Sequence, residues 1–338
     1  MSGGPKVAIL GAGSVGCFIG AAWQADGLPV TFIGRRKLAN EIDEHGLTLT
    51  DFAGETVSLK PGAIDYRCGP EALADADVIL LCVKSGDTVA AARDIDAHGR
   101  PGATVISFQN GVSNLDTLGE ALGGRFEVAR GMVPFNIAYL GGGRFHKGVA
   151  GKLYVERRST TQTLAEAVAQ GFAPLSLSQN MLALSWGKLL INLNNAVNAL
   201  SGRTLQDELT ARDYRRVFAA SIREGLALLK RAEIEPATVG PIAPGRLPRV
   251  LDSPDWLFRN VFMKRWKIDA KARSSMADDL VGGRKTEIDQ LNGELVRLAE
   301  RLGLDAPVNR RIVELVHDAE AGAAPLGPEE LRTAALGR

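Results

Sequence analysis

Cysteine is scarce in this chain of 338 residues, where it occurs three times, at Cys17, Cys68 and Cys82. The number is odd and the spacing is neither that of a metal site nor that of a redox motif. A disulfide framework is therefore excluded, and a reducing, cytoplasmic compartment is predicted. The four histidines are scattered along the chain, so no metal site is predicted either.

Long apolar runs are also missing, since no segment reaches about 18 consecutive apolar residues. The first residues, MSGGPKVAIL, lack a charged region leading a signal-length apolar run, so we expect no export signal and no membrane span. The net charge is +1 with acids and bases intermixed, which predicts no nucleic-acid partner. What remains is an ordinary globular composition, long enough for two domains of roughly 150 residues each.

A glycine loop near the start of the chain carries the first positive signal. Lys6 to Leu10 reads as a short strand, the loop GAGSVG follows at once, and a helical pattern then runs to about Gly27. Strand, glycine loop, helix and second strand within about 30 residues form a dinucleotide-binding fingerprint. In this pattern Gly11 allows the tight turn, Gly13 lets the backbone approach a pyrophosphate, and Gly16 lets the helix pack closely on the strand. The helix N-terminus offers its free N–H groups to the phosphates.

The residues after the second strand indicate which dinucleotide is bound. An acid commonly stands here in NAD-binding proteins, where it takes the ribose 2′-hydroxyl, but this chain has Gly34, Arg35, Arg36 and Lys37. A guanidinium can form two hydrogen bonds to a 2′-phosphate, so we predict NADPH, with Arg35 as the preferred ligand and Arg36 as the second. The alternative is that these are ordinary exposed loop arginines, which are common.

Two further strands end in polar residues. Asp77 to Val83 is wholly apolar after its first residue and is followed by Lys84, while the strand from Thr104 to Phe108 is followed by Gln109 and Asn110. Ligands of open α/β sheets lie beyond the carboxyl ends of the strands, so Lys84 and Asn110 are expected near the nicotinamide. The alternatives are a solvated strand end for Lys84 and a turn residue for Asn110.

The two halves of the chain differ in their patterns. Short strand-like runs between Arg125 and Glu156 predict an antiparallel extension of the sheet, and strand signals nearly vanish after about Ser178. Helical patterns follow, and the tail from Ala323 to Arg338 is expected to be partly disordered. The predicted fold class is therefore α/β, with a Rossmann-type dinucleotide-binding domain over residues 1–178 and an all-α domain over residues 179–338.

The second half begins with an unusual apolar segment, Ser185 to Gly202, which we predict to be one helix. Lys188 is the only charged residue between Asn180 and Gly202, and amides recur at positions 192, 194, 195 and 198. Lys188, Asn192 and Asn195 follow helical spacing and share one face. Such a face predicts a polar cleft; alternatively, Lys188 reaches the surface and the amides hold neighbouring loops.

At this point the chain resembles the ketopantoate reductase (2-dehydropantoate 2-reductase) family over nearly its whole length. The resemblance rests on the order and spacing of Gly11-Ala12-Gly13-Ser14-Val15-Gly16, Val83-Lys84, Gln109-Asn110-Gly111, Trp186-Gly187-Lys188 with Asn192, and Ser274-Ser275-Met276 with Thr286-Glu287-Ile288-Asp289 and Asn292-Gly293. It implies NADPH-dependent reduction of 2-dehydropantoate to pantoate, in pantothenate and coenzyme A biosynthesis. It also implies a C-terminal domain similar to that of 6-phosphogluconate dehydrogenase.

Site roles follow from the resemblance residue by residue. Lys188 would be the general acid, Ser275 and Glu287 would bind substrate, and Asn110 and Asn192 would line the site. The residue types suit this chemistry, because the alkoxide left after hydride delivery needs a proton from a positioned acid. Two alternatives stay open: Ser275 with Asp278 resembles a helix capping box, and Glu287 near a helix start would favour the helix dipole.

The chain departs from the family pattern around the expected substrate pocket. Ala196 stands where many members have a second amide, and the adjacent Asn195 is the predicted replacement. The stretch from Glu235 to Ala272 is longer than usual and carries Trp256 and Trp266. Three alternatives therefore stay open: a reductase of another 2-keto or β-hydroxy acid, a non-catalytic NADPH-binding sensor, and, for the assembly, a homodimer formed through an apolar surface that includes the two tryptophans.

Overall fold

The computed structural model describes residues 4–263, 269 and 272–337. The chain divides into two compact units, Met1–Met181 and Leu182–Arg338. Trp266, one of the two tryptophans considered for pairing, lies outside the described residues.

The first unit carries all strands found in the described residues. They are β1 (Val7–Leu10), β2 (Val30–Ile33), β3 (Leu47–Asp51), β4 (Thr56–Leu59), β5 (Asp65–Arg67), β6 (Val78–Leu81), β7 (Thr104–Ser107), β8 (Glu127–Met132), β9 (Ile137–Tyr139), β10 (Arg144–Lys147), β11 (Leu153–Glu156) and β12 (Leu175–Ser178). Its helices are α1 (Ser14–Ala25), α2 (Arg36–His45), α3 (Thr88–His98), α4 (Asn114–Leu122) and α5 (Ser159–Ala167).

Eight strands form one sheet in the order β12-β11-β8-β7-β6-β1-β2-β5. The six from β8 to β5 run parallel to their neighbours. Every residue of β1, β6 and β7 is buried, as expected for apolar central strands covered on both faces. The carboxyl ends of these strands therefore meet at one edge, where the glycine loop and the segments after β6 and β7 begin.

The predicted antiparallel extension was only partly right. β8 pairs parallel with β7, β11 pairs antiparallel with β8, and β12 pairs parallel with β11, so β11 and β12 run opposite to the other six strands. β9 and β10 leave this sheet and join β3 and β4 in a second sheet of order β4-β3-β10-β9. This second sheet forms because Leu47, Leu49 and Phe145 share an apolar face that packs into the same core as α1.

All regular secondary structure in the described residues of the second unit is helical, which confirms the predicted fold class. Its helices are α6 (Met181–Asn192, whose first residue belongs to the first unit), α7 (Asn194–Ser201), α8 (Leu205–Thr210), α9 (Arg212–Arg231), α10 (Leu247–Leu251), α11 (Asp255–Leu257), α12 (Ser275–Val281), α13 (Asn292–Arg301), α14 (Pro307–Glu320) and α15 (Pro328–Leu336), with a π-helical turn at Phe258–Met263. Within the described residues, no helix is both long and apolar enough to cross a bilayer.

The long helix α9 lies at the centre of this unit and contacts most of the others. A buried polar network joins α9 to α13 and α14. The Asn309 amide oxygen accepts hydrogen bonds from the Ser221 hydroxyl at 2.7 Å and from the Asn292 side chain at 3.0 Å. The Asn309 side chain in turn donates to Glu224 at 2.7 Å. Buried amides are tolerated here because they bond to one another.

The tail that we expected to be partly disordered instead forms α15. The helix starts at Pro328, and the Gly327 N–H donates to the Glu330 carboxylate at 2.7 Å. Leu331 is fully buried against α9, and the Tyr214 hydroxyl donates to the Leu326 carbonyl at 2.7 Å. Tertiary packing thus orders a segment whose composition alone predicts little structure.

Candidate functional site

The glycine loop between β1 and α1 begins with a residue that only glycine suits. Gly11 has a φ of +96°, and a Cβ there would lie 2.5 Å from the Val83 backbone nitrogen, after β6. The N–H groups of Gly11 and Ala12 both donate to the Ile33 carbonyl at the end of β2, at 3.0 and 2.9 Å. The loop is therefore held against the ends of two neighbouring strands.

The other two glycines differ in their surroundings. A Cβ on Gly16 would lie 2.6 Å from the Gly11 carbonyl oxygen, so this glycine permits α1 to pack on the loop. A Cβ on Gly13 would meet no atom within 4 Å, so the backbone at Gly13 faces open space. Gly13 is the N-cap of α1 and bears no side-chain cap, and the N–H groups of Ser14 and Val15 lie in the first turn, which has no carbonyl of its own to bond. This arrangement fits a pyrophosphate.

Cationic side chains follow the end of β2. Arg35 is the N-cap of α2, and Arg35 and Arg36 are both exposed. A third cation, Arg67, was missed from the sequence: β5 pairs with β2 and brings Arg67 opposite Ile33, and the Gly34 N–H donates to the Arg67 carbonyl at 3.0 Å. Arg67 forms an ion pair with Asp65 at 2.5 Å. No local pattern identified this strand as a neighbour of β2.

Tyr66 joins the glycine loop to the end of β2, and it too was missed. Its ring lies parallel to that of Phe32, and its hydroxyl donates to the Ala12 carbonyl at 3.4 Å. A Cβ at Gly34 would lie 2.2 Å from this hydroxyl, so Gly34 leaves the space through which Tyr66 reaches the loop. Burial is the main cause that raises the pKa of Tyr66 above its ordinary value. The phenol is therefore a neutral hydrogen-bonding group here.

The structure brings together the segments that carry Lys84 and Asn110. The hydroxyl of Ser85 donates to the Asn110 carbonyl at 3.0 Å, and the Asn114 side chain donates to the same oxygen at 2.6 Å. Gln109 strengthens the link, since its side-chain nitrogen donates to Thr88 at 2.8 Å. Lys84 is exposed and Asn110 is half-buried. Both therefore lie at the carboxyl edge of the sheet, on backbone that this network restrains.

Lys188 lies on α6 in the second unit, in a half-buried position. The residue before it must be small, because a Cβ on Gly187 would lie 2.0 Å from the Ala237 carbonyl oxygen. Burial lowers the pKa of Lys188 from 10.5 to about 8, and the nearby charge of Glu287 partly offsets this by raising it. Two residues about 100 positions apart in the sequence are thus brought into electrostatic contact. An ammonium with a pKa near neutral is suited to proton transfer.

The segment after Lys188 is not one helix as we predicted. α6 ends at Asn192 and α7 starts at Asn194, so Asn195 belongs to the second helix and the polar face is interrupted at Leu193. Leu193 keeps helical backbone angles, φ −57° and ψ −24°, and its N–H still donates to the Leu189 carbonyl at 3.0 Å, so the backbone direction changes little between the two helices. Asn192 and Asn195 are both half-buried. The amides of Asn194 and Asn198 instead lie buried and donate to the Glu208 carboxyl at 3.0 and 3.5 Å.

The two serines before α12 have different roles. Ser274 caps the helix: its hydroxyl accepts the Ala277 N–H at 3.1 Å and donates to the Asn195 carbonyl at 3.1 Å. Its own N–H donates to the Asn198 side chain at 2.9 Å. Ser275 is exposed at the first position of the helix. The capping function considered for Ser275 therefore belongs to Ser274.

Glu287 is half-buried and is the N-cap of a short 3₁₀ turn, Ile288–Gln290. Together, the second unit places an ammonium with a lowered pKa near a carboxylate, with amide and hydroxyl groups on α6, α7 and α12. The first unit places a glycine loop, an uncapped helix N-terminus and three arginines at one sheet edge. Groups of these types can bind a dinucleotide and can protonate an oxyanion. Among the described residues, no group of acidic, histidine and cysteine side chains could hold a metal ion.

Comparison with known families shows which protein family the chain belongs to. The family model of ketopantoate reductase PanE/ApbA matches residues 7–159, and the model of its C-terminal domain matches residues 180–320. The chain belongs to the ketopantoate reductase family. Members of this family are dinucleotide-binding oxidoreductases.

Individual members and neighbours agree with this assignment. The chain is 27% identical to a 2-dehydropantoate 2-reductase of Halobacterium salinarum, over 93% of this chain and 99% of the relative. A crystal structure of a PanE/ApbA family ketopantoate reductase from Ralstonia eutropha matches with a TM-score of 0.80 and 29% identity, over 94% of this chain and 98% of the other. The fold is also that of a D-mandelate dehydrogenase solved with NADH and anilino(oxo)acetate, with a TM-score of 0.76, 20% identity and coverage of 94% and 98%.

Proposed function

We propose that this protein reduces 2-dehydropantoate to pantoate with NADPH. The observation that carries the proposal is Lys188, half-buried near Glu287 with its pKa lowered to about 8, in a chain that belongs to the ketopantoate reductase family. The reaction would supply pantoate for pantothenate and coenzyme A biosynthesis. The cytoplasmic location stays a prediction.

Lys188 has the central role in this proposal. When hydride reaches the keto carbon, the carbonyl oxygen gains negative charge, and the Lys188 ammonium stabilises that charge and donates the proton that yields the hydroxyl. A positioned acid of this kind contributes about 10²–10⁴-fold to the rate. Glu287 keeps the ammonium charged, because its own charge raises the pKa that burial lowers.

Polar side chains around Lys188 are proposed to hold the keto acid. The Ser275 hydroxyl is exposed and not used as a cap, so it is available to donate to the substrate carboxylate. The Glu287 carboxylate is proposed to accept a hydrogen bond from the substrate hydroxyl. The amides of Asn192 and Asn195 are proposed to bind the remaining oxygens. Asn110, in the first unit, is proposed as a further ligand of the substrate and the cofactor.

The cofactor site is proposed at the glycine loop. Bound NADPH would supply the hydride. The open side of Gly13 and the uncapped start of α1 would take the pyrophosphate, together with Ser14, Val15 and Gly16. Arg35 and Arg36 are exposed where a 2′-phosphate would lie, which supports NADPH over NADH. Lys84 is proposed as a further cofactor contact.

The direct test is the decrease in absorbance at 340 nm as NADPH is oxidised in the presence of 2-dehydropantoate. Lys188→Ala should retain less than about a tenth of the wild-type kcat, given the usual contribution of an acid. The exposed Lys230→Ala, at the end of α9, should leave kcat unchanged. Because Lys188 must be protonated, wild-type kcat/KM should fall as pH rises above about 8. A Lys188→Ala variant with near wild-type kcat would contradict the assignment of the acid.

A second candidate is reduction of a different 2-keto acid by the same chemistry. It is favoured by Ala196, which is fully buried where many members of the family have an amide, and by the D-mandelate dehydrogenase fold. A kcat/KM panel of 2-keto acids with NADPH separates the two candidates. Tight NADPH binding with no turnover on any keto acid would instead support a non-catalytic sensor.

A homodimer is proposed as the assembly. Trp256 in α11 is 68% exposed, which is high for a large apolar side chain. Light scattering should give a dimer mass for the wild type and a monomer mass for Trp256→Ser, since a dimer formed through this residue dissociates in the variant. A monomeric wild type would contradict the proposal.

A further inference from the structure

Glu320, the last residue of α14, uses one carboxylate oxygen to hold Thr286. Its Oε1 accepts hydrogen bonds from the Thr286 N–H at 2.8 Å and from the Thr286 hydroxyl at 2.7 Å. The Glu320 side chain is only 16% exposed. Two short hydrogen bonds to a shielded carboxylate fix both the backbone and the side chain of Thr286.

Thr286 also contacts the residue that follows Glu287. Its hydroxyl oxygen also accepts the N–H of Ile288 at 3.3 Å. The Ile288 side chain is fully buried and anchors the chain on the other side. The backbone is therefore held immediately before and immediately after Glu287.

The second oxygen of Glu320 extends the contact to His317 and Asp289. His317 Nδ1 lies 3.2 Å from Glu320 Oε2, and His317 Nε2 lies 3.2 Å from Asp289 Oδ1. Partial burial lowers the pKa of His317, but hydrogen bonds and charge from Glu320 and Asp289 raise it by more, so the net direction is upward. The His317 side chain thus bridges the two carboxylates and ties Asp289, two residues after Glu287, to α14.

We propose that Glu320 is a positioning residue that holds Glu287 at Lys188 through Thr286. The inference rests on the proposed function, in which Glu287 keeps Lys188 charged and binds the keto acid. Without the Glu320 carboxylate, the segment before Glu287 loses the hydrogen bonds that hold Thr286, and the Glu287 charge is less firmly kept at one distance from the ammonium. Lys188 then has a lower pKa, because the interaction that raises it is weakened.

The test compares four variants. Glu320→Ala removes both acceptors, Glu320→Gln retains one neutral acceptor oxygen, and Thr286→Val removes only the hydroxyl. Glu314→Ala is the matched control, since Glu314 lies on the same helix, is exposed and forms an ion pair with Arg311, away from Thr286. The Lys188 pKa is read by ¹³C NMR titration of the reductively methylated protein, with the resonance assigned from its loss in Lys188→Arg. The kcat and KM are measured against pH.

For Glu320→Ala we expect KM for the keto acid to rise about tenfold, with a smaller fall in kcat. The Lys188 pKa should fall, and the alkaline limb of the pH profile should move to lower pH with it. In Thr286→Val and Glu320→Gln, KM and the Lys188 pKa should change in the same directions as in Glu320→Ala, but by less. In Glu314→Ala, neither KM nor the Lys188 pKa should change. These two milder variants decide the question if Glu320→Ala does not fold.

The outcomes separate the inference from the proposed function. If the wild type reduces a keto acid but neither KM nor the Lys188 pKa changes in Glu320→Ala, Glu320 does not position Glu287. If the wild type reduces no keto acid, the proposed function fails, and the positioning role of Glu320 is then tested by the NMR titration of Lys188 in Glu320→Ala alone. A lowered Lys188 pKa would then support the positioning, and an unchanged one would overturn it.

Discussion

Glu208 provides the sharpest test of how this fold handles a buried charge. The residue lies in α8 and is fully buried. Its Oε2 accepts hydrogen bonds from Asn194 and Asn198, while its Oε1 has no hydrogen-bond partner in the described part of the chain. Burial is the main cause that raises the pKa of Glu208 from 4.5 to about 8; the two amides and the charge of Arg215 only partly offset it.

The direction of the effect on stability follows from proton binding. A carboxyl with a raised pKa in the folded state takes up a proton on folding, so the free energy of unfolding falls as pH rises from about 4.5 to about 8. The pKa difference is about 3.5, and each pKa unit corresponds to about 1.4 kcal/mol, so the free energy of unfolding can fall by at most about 5 kcal/mol over this pH range. The slope should not exceed about 1.4 kcal/mol per pH unit.

The perturbation is Glu208→Gln, which has nearly the same shape and is neutral at every pH. Its carbonyl oxygen can still accept from Asn194 and Asn198, so at pH 5 the variant and the wild type should differ by about 1 kcal/mol or less. At pH 8 the variant should be the more stable by a few kcal/mol, because it avoids the cost of a buried carboxylate.

Urea unfolding followed by circular dichroism, at pH 5, 6, 7 and 8, gives the free energy of each protein. Subtracting the two curves cancels every other titrating group, so the difference isolates Glu208. The exposed Glu314→Gln is the control for exchanging a carboxyl for an amide on the surface, and its difference should be much smaller than that of Glu208→Gln. A flat difference for Glu208→Gln would show that Glu208 does not take up a proton on folding, and the reasoning from burial would be wrong.

Three further predictions concern the glycine loop, the choice of cofactor and the serines. Gly11→Ala, at a φ of +96°, should destabilise the protein by about 1–3 kcal/mol in thermal unfolding. Gly13→Ala should unfold like the wild type but bind NADPH at least tenfold more weakly in a fluorescence titration. Equal losses of Tm in the two variants would contradict this distinction. Arg35→Ala should reduce the ratio of kcat/KM with NADPH to that with NADH, and an unchanged ratio would exclude Arg35 as the 2′-phosphate ligand. Ser274→Ala should destabilise the protein by about 1 kcal/mol, because the N-cap of α12 is lost. Ser275→Ala should leave the Tm unchanged and raise KM for the keto acid. The reverse result would mean that Ser275 caps the helix and Ser274 binds substrate.

The features that could be predicted from the sequence are local ones. Strand β1, the glycine loop and α1 occupy consecutive residues, and their signals are apolar runs and glycine spacing that need no distant partner. The polar residues at the ends of β6 and β7 were foreseeable for a similar reason, because parallel strands end at one edge whatever their order. The all-α second half followed from the loss of strand signals after Ser178.

The errors arose where distant segments or tertiary packing decide the structure. The second sheet pairs Thr48 with Arg144, and no local pattern indicates which of several short strands will pair. Asn194 bonds to Glu208, 14 residues further along the chain, rather than facing the polar stripe, and α15 packs on α9. Each of these is a contact between residues whose separate propensities are weak.

The sequence by itself determined the family, the order of secondary structure in the core and the identity of the chemically capable side chains, because these depend on residue type and short spacing. Only the tertiary structure decided which serine caps α12, which arginine joins the cationic edge and which carboxylate restrains Glu287. It also decided the pKa of Lys188, since that value depends on burial and on a carboxylate about 100 residues away. Hydrogen bonds and electrostatic interactions act over a few ångströms in space, and folding alone brings such distant residues together.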